Sequence, residues 1–379
     1  MNKKILTIVL SFTILCGSIF VVDTNAQKAK GKTAVKTAVT SRTAVDPLMA
    51  ALPKSDAVVS IDVKRLLNDL VPKLLSESPD KLAAFNAQLD KIKAQAGGLD
   101  LRQIEKIVAG FRFTRTAPTK INVETVVLAK SSYNAEMLIA GGKMVAKGKF
   151  KDEKFAGKTI TLFDLTSLKD KAAEAVKGKT ETAADPNQQN TQPESSSLMD
   201  KVVNVILGQN LSEVAVAAVD DKTLAIGKLE SVKSALGAKT AKVAANAAIN
   251  ELAAKNTNAV VSFGGNVPSK VSELLEVEND FAKQLDSIRQ LYGSMGMSET
   301  NYEMVLTARA ADAANAKNIF DVLQFFKQFG SGFLQNRTDE LSKIGVGLLG
   351  NLQTRNEGKD VHLKIEMKQS DVNGLLKLF

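Results

Sequence analysis

A short internal repeat is the feature that most constrains the fold. Residues 57–61 read Ala-Val-Val-Ser-Ile, and residues 259–263 read Ala-Val-Val-Ser-Phe. Both runs are rich in β-branched side chains, which favour strands. A second match follows each run, because residues 85–92 and 281–288 share Phe, Gln, Leu, Asp and Ile at the same spacing. Internal similarity of this kind predicts a duplicated fold in which each half opens with a strand and continues into helices.

The hydrophobic periodicity extends this plan to the rest of the chain. Apolar residues at helical spacing predict a helix over residues 79–94. Pairs of strand-like segments separated by short turns recur later, with the last pair at 352–355 and 360–368. Because hairpins join antiparallel strands, we predict an α+β protein with two similar halves, each an antiparallel sheet with helices packed on one face. The halves are predicted at residues 47–240 and 241–379.

The first 26 residues are typical of a secretory signal peptide. Lys3 and Lys4 precede an apolar run over residues 5–22, and small residues surround a cleavage position after Ala26. We therefore expect an exported protein, periplasmic or extracellular. An uncleaved N-terminal membrane anchor is the alternative, because about 17–25 apolar residues can cross a bilayer. The only cysteine, Cys16, lies within the run, so the cleaved chain would contain no disulfide.

Two polar segments are predicted to be disordered. Residues 27–46 form a basic linker whose lysines and arginine can contact an anionic membrane surface. Residues 177–197 form a polar insertion with almost no large apolar side chain. The formal net charge is +9, but much of the excess lies in the linker and the signal peptide. The body is nearly balanced and lacks tryptophan, so we expect no nucleic-acid partner.

The sequence offers few residues for catalysis. His362 is the only histidine, and strand alternation places it on the face opposite Val361 and Leu363, toward solvent. Nucleophilic triads need a histidine oriented by a carboxylate, and zinc sites usually need several His or Cys ligands. We therefore predict no catalytic residue, no cofactor and no metal ligand.

A hydrolase is the alternative function, and it would depend on carboxylates or on Ser/Lys chemistry. Ser78 and Lys81 have a spacing found in some acylating hydrolases, but Ser78 before Pro79 is better explained as a helix N-cap. Asp62 and Asp220 are the candidate carboxylates. Gly345, Gly347 and Gly350 spell a dinucleotide-binding pattern, although a helical pattern precedes them where the motif requires a strand.

A strongly apolar helix near residues 313–329 is the one candidate binding element. Phe320, Leu323 and Phe326 are predicted to line an apolar ligand groove, which could accept an acyl chain. Core packing under the sheet is the alternative interpretation, because an apolar stripe at helical spacing is first a sign of burial.

Three features together resemble known families of exported bacterial proteins of unknown function. They are the N-terminal signal segment, the Leu-Pro-Lys-Ser-Asp-Ala-Val-Val-Ser-Ile-Asp-Val opening at residues 52–63, and the strand at 221–227 with the helix after it. The resemblance covers most of the chain from Pro47 and implies a duplicated α+β domain without transferable catalytic residues. We therefore expect a non-catalytic envelope protein that binds an envelope protein or a lipid.

Overall fold

The computed structural model describes residues 46–95, 98–117, 120–165, 212–238, 247–256, 258–274, 284–298, 301–336 and 340–377. The predicted signal peptide, the predicted linker up to residue 45 and the insertion at 177–197 lie outside these residues. Within the described ranges, none of the helices combines the length and the apolar character needed to cross a bilayer.

The strands of the described residues are 5 to 14 residues long, and consecutive strands pair in five hairpins. They are β1 Ala57–Asp62, β2 Ile104–Ala117, β3 Lys120–Ser131, β4 Phe150–Phe155, β5 Lys158–Asp164, β6 Glu213–Asp220, β7 Thr223–Gly227, β8 Ala259–Asn266, β9 Ile288–Met297, β10 Asn301–Ala310, β11 Leu352–Glu357 and β12 Asp360–Lys368.

Most of the described helices lie in the connections between these strands, while the first precedes β1 and the last follows β12. They are α1 Pro47–Ala50, α2 Val63–Arg65, α3 Val71–Leu74, α4 Pro79–Gln95, α5 Ala135–Ala146, α6 Leu229–Ala238, α7 Ala247–Ala253, α8 Val271–Leu274, α9 Ala313–Gln335, α10 Glu340–Asn351 and α11 Gln369–Lys377. A π-helical turn, Leu66–Leu70, joins α2 to α3, and a 3-10 turn, Leu101–Gln103, precedes β2.

The strands form one antiparallel sheet of 12 strands in the order β11-β12-β10-β9-β8-β1-β2-β3-β7-β6-β5-β4. The predicted α+β class and antiparallel pairing are confirmed. The expected division into two sheets is wrong, because β1 pairs directly with β8 and makes the sheet continuous. The hydrogen bonds between these two central strands therefore join the first part of the chain to the second.

The repeated strand sequences lie next to each other at the centre of the sheet. Ser60 of β1 is directly opposite Ser262 of β8, and these are the equivalent serines of the repeat. Outward from this pair, β2 and β3 follow on one side, and β9 and β10 follow on the other. The arrangement is that of a local two-fold axis between the two serines.

The second sequence match does not mark equivalent elements throughout. Ile92 lies inside α4, whereas Ile288 is the first residue of β9. The repeat thus identified the paired central strands, but it misassigned the start of β9 as part of a helix.

Helices pack on both faces of the sheet, which corrects the expectation of one covered face. Val232 and Leu236 of α6 pack in a cluster that contains Ala225 of β7. Ile139 of α5 packs in a different cluster that contains Leu224 of the same strand. Successive strand residues point to opposite faces, so α5 and α6 lie on opposite sides.

Helix α7 joins the halves on the α6 side by a close backbone contact. Its Ile249 and Ala253 share a core cluster with Val58 of β1. A Cβ added to Gly264 of β8 would lie 2.9 Å from the Ile249 carbonyl oxygen and 3.0 Å from the Ala253 amide nitrogen. Only glycine lets the helix backbone approach the strand this closely.

We expect Gly264→Ala to lower the free energy of unfolding by about 1–3 kcal/mol, because backbone atoms must move to accommodate the methyl group. Gly347→Ala is the matched control, since its added Cβ meets nothing within 4 Å on α10. The control should gain roughly 0.5–1 kcal/mol from helix propensity. Urea denaturation measures both, and equal stability of the two variants would contradict the close contact.

Candidate binding surface

Helix α9 is anchored at its first half by capping and by apolar packing. The Asp312 side chain caps its N-terminus by accepting a hydrogen bond from the Asn315 amide at 2.8 Å. This backbone hydrogen bond holds the pKa of Asp312 below its ordinary value. On the sheet side, Ala316 and Ile319 are buried against Val361 of β12.

Polar contacts fix the middle of the helix over the edge strand β11. Gln324 donates to the Thr354 hydroxyl at 2.7 Å. Lys327 donates to the Leu352 carbonyl oxygen at 2.5 Å. Because these contacts and the apolar cluster set the rotation of α9, the side chains on its other side are held away from the sheet.

That outer side carries four phenylalanines, which we call the aromatic stripe. They are Phe325, Phe326, Phe329 and Phe333, and they are 62, 51, 63 and 55 % exposed. The rings of Phe325 and Phe329 stack with centroids 5.8 Å apart, and Phe325 meets Phe326 edge-on at 6.1 Å. A contiguous exposed apolar patch on a folded protein usually marks an interaction site.

The groove predicted from the sequence is not formed by its three residues together. Phe320 and Leu323 pack against the cluster around Val361, so core packing is the correct interpretation for these two. Phe326 lies on the exposed side instead. One helix therefore divides its apolar residues between the sheet and solvent.

Phe325, Phe329 and Phe333 were not predicted from the sequence as surface residues. A helical projection gives the signal, because residues 325, 329 and 333 follow one another at a spacing of four and lie on one side. The residues that face the sheet, Ala316 and Phe320, lie on the other side by the same rule. When a helix has more apolar residues than one face can hold, some of them are expected to be exposed on another side.

Helix α5 carries a smaller exposed apolar surface. Met137, Met144 and Val145 are 71, 80 and 49 % exposed. Its opposite side packs Ala135 and Ile139 against β6 and β7. This surface is a useful control for the aromatic stripe, because it is also apolar and helical but has no aromatic ring.

A polar network lies on β9, β10 and β12, on the face opposite α9. Arg309 binds both carboxylate oxygens of Asp360, at 2.7 and 2.8 Å. The hydroxyl of the buried Tyr292 donates to the same carboxylate at 3.2 Å and accepts from Lys255 at 2.9 Å. Burial raises the pKa of Asp360, but the Arg309 guanidinium lowers it, and the net effect is a pKa below the ordinary value.

His362 lies beside this network and is 30 % exposed. Its Nδ1 is 2.9 Å from the Thr307 hydroxyl, and its Nε2 is 3.6 Å from a Glu357 carboxylate oxygen. A hydroxyl, an imidazole and a carboxylate placed in this order resemble a catalytic triad. Thr307 is only 1 % exposed, however, so a substrate carbonyl cannot reach its hydroxyl. The predicted strand alternation is correct, but His362 is half-buried rather than fully solvated.

The residues of the hydrolase alternative have structural contacts on separate elements. Asp62 accepts from the Arg65 amide at the start of α2, and Asp220 accepts from the Lys222 amide in the β6–β7 turn. Ser78 precedes α4, and its carbonyl accepts from Leu82. Four strand spacings of about 4.8 Å separate β1 from β6. The two aspartates therefore lie too far apart to act together.

The remaining motif and ligand sets do not form sites in the described ranges. Gly345, Gly347 and Gly350 all lie within α10, where no strand precedes them, so the dinucleotide pattern has the wrong context. No group of three or more His, Cys, Asp or Glu residues is arranged to hold a metal ion there.

Comparisons with known proteins find solved structures of low similarity. No protein-family model matches the sequence, and no curated protein matches it. Crystal form I of TP0453 is 8 % identical with a TM-score of 0.35, over 89 % of this chain and 98 % of that chain. Crystal form III is 10 % identical with a TM-score of 0.37, over 89 and 99 %. The resemblance to exported bacterial families thus stays an expectation from the sequence.

We expect Asp360→Asn to destabilise the protein by about 1–3 kcal/mol at neutral pH, because Arg309 would lose its charged partner. The lowered pKa of Asp360 makes its contribution present above the ordinary pKa of the carboxyl and lost as the pH falls through the folded-state pKa. The difference from the parent should therefore shrink in acid.

Asp321→Asn provides the control, because Asp321 is 52 % exposed in its pair with Lys317. Such a pair contributes less than about 1 kcal/mol. Urea denaturation over a pH series measures both variants, and a pH-independent loss in Asp360→Asn would contradict the ionic role.

Proposed function

We propose that this chain is an exported, non-catalytic protein of the cell envelope that binds lipid through the aromatic stripe of α9. The observation that carries the proposal is the exposure of four phenylalanines on one side of a helix whose other side is fixed to the sheet. The proposal assigns no reaction to the protein, and the hydrophobic effect provides the binding energy.

The size of the stripe supports an apolar ligand. At 51–63 % exposure, four phenylalanines present roughly 450 Å² of surface, given about 150–250 Å² per aromatic side chain. Each Å² removed from water contributes about 25 cal/mol. The phenyl rings offer no hydrogen-bonding group to water, so transfer into acyl chains leaves no polar group unsatisfied.

The sequence before the fold supports a location at a membrane. The predicted signal peptide would bring the chain out of the cytoplasm. The basic linker at 27–46 would be attracted to anionic lipid, each cation near such a surface contributing about 1 kcal/mol. If the apolar run stayed as an anchor, a linker of this length, with the disorder that its sequence predicts, would hold the body within roughly 25 Å of the bilayer.

Co-sedimentation with vesicles tests the proposal, using the exported chain from Gln27. Phosphatidylcholine vesicles should bind it, because the stripe itself is uncharged. The double variant Phe325→Ser/Phe329→Ser should weaken the partition coefficient by at least about tenfold, since the removed area is worth several kcal/mol. Adding anionic lipid should strengthen binding of both proteins through the linker.

Met137→Ser/Met144→Ser on α5 is the matched control, and its partition should stay close to that of the parent. Unchanged far-UV circular dichroism establishes that both double variants are folded. Equal binding by the stripe variant and the parent would refute the proposal. A hydrolytic activity that disappears in Ser78→Ala, Asp62→Ala or Asp220→Ala would support the alternative function instead.

A further inference from the structure

The four rings of the aromatic stripe are 51–63 % exposed in the single chain, and the surrounding residues favour a second copy of the chain as the partner that binds there. The largest apolar patch on a monomeric protein is about 300–600 Å², and the stripe alone reaches that range. A standard interface buries about 800 Å² per partner. The four rings thus supply about half of what one copy would contribute, and the polar residues beside them on α9 can form the rim.

The charge near the stripe permits two copies to approach. From residue 323 to residue 336, Lys327 is the only charged side chain. Its ammonium group is directed to the sheet, where it donates to the Leu352 carbonyl oxygen at 2.5 Å. Like charges facing each other would cost several kcal/mol, and residues 323–336 present none on the outer side. The exposed Lys317–Asp321 pair precedes the stripe on the same side of the helix, and its two charges are opposite.

The stripe contains a position at which a second helix can approach closely. Gly332 lies three residues after Phe329 and seven after Phe325, which places it on the same side of α9. A Cβ added there would meet no described atom within 4 Å, so the glycine leaves an open notch among projecting rings. A two-fold contact places the same patch on both copies, so the two glycines can face each other and let the helix backbones approach closely at this position.

We propose that in solution a second copy of this chain covers the stripe, through a two-fold contact of α9 against α9, and that lipid binding requires the copies to separate. The inference rests on the proposed function for its second part. Self-association and lipid binding then compete for the same four rings, so the apparent affinity for vesicles falls as protein concentration rises.

Sedimentation equilibrium of the chain from Gln27 tests the contact. The parent should form a dimer, and Phe325→Ser/Phe329→Ser should raise the dimer dissociation constant by at least about tenfold, the equivalent of 1.4 kcal/mol. Met137→Ser/Met144→Ser should leave the constant unchanged. A parent that stays monomeric at its solubility limit, or a stripe variant that dimerises as tightly as the parent, overturns the inference.

A single engineered cysteine tests the geometry and the competition. The chain from Gln27 contains no cysteine, and Gly332→Cys introduces one in the notch. Gly141→Cys on α5 is the matched control, because an added Cβ there also meets nothing within 4 Å. Under mild oxidation only Gly332→Cys should give a disulfide-linked dimer. Absence of that dimer while the parent is dimeric overturns the two-fold contact.

The disulfide-linked dimer of Gly332→Cys should bind phosphatidylcholine vesicles at least about tenfold more weakly than the same protein after reduction. Equal binding before and after reduction overturns the competition. A monomeric parent that still binds vesicles removes this inference but leaves the proposed function intact. If the protein dimerises but binds vesicles neither as the disulfide-linked dimer nor after reduction, the proposed function is refuted and the self-association stands.

Discussion

The pairing of β1 with β8 is the contact on which the rest of the structure depends. Five successive residue pairs join the two strands, with Ser60 opposite Ser262. Without these hydrogen bonds, both strands would be sheet edges with unpaired backbone groups and largely buried side chains. Helix α7 packs closely against Gly264 and covers the junction, so both backbone pairing and helix packing hold the halves together.

The two sides of this junction differ along the row of residues that crosses the sheet at right angles to the strands and passes through Val58 of β1 and Gly264 of β8. Toward one edge the side chains facing α6 are small or apolar, as at Val126, Gly227 and Ala215. Toward the other edge the row continues through Tyr292, Thr307, His362 and Arg355, which are polar. The same face is therefore core in the first part of the chain and a hydrogen-bonded, partly exposed surface in the second. The aromatic stripe lies on the opposite side of this second part.

Much of the fold could be predicted because local pattern and final environment agree. Helix α4 and the hairpin β11–β12 lie close to their predicted bounds, since each combines a clear period with residues typical of a cap or a turn. The continuous sheet could not be predicted, because the pairing of β1 with β8 is a contact between distant parts of the chain that no local pattern encodes. The β4 strand was missed because its charged residues belong to a sheet edge, where alternation with a core face is weak.

The exposed phenylalanines lie on the helix that its apolar composition singled out in the sequence. Composition alone cannot tell which of its residues face the sheet. That division depends on the rotation of α9, which Gln324 and Lys327 set through contacts with β11. For His362, the alternation of β12 gave the correct face, whereas its contact with Thr307 depends on the pairing of β10 with β12.

The central position of β1 also has a consequence for how the chain reaches this state. Because the polypeptide is synthesised from its N-terminus, β1 can pair with β2 early, but its other partner, β8, is made some two hundred residues later. Until then a nascent intermediate would present the Val58 strand as an unprotected edge, open to pairing with other chains. Contacts between such distant segments slow folding, so a chaperone that shields this strand during biogenesis would act on the step most exposed to aggregation.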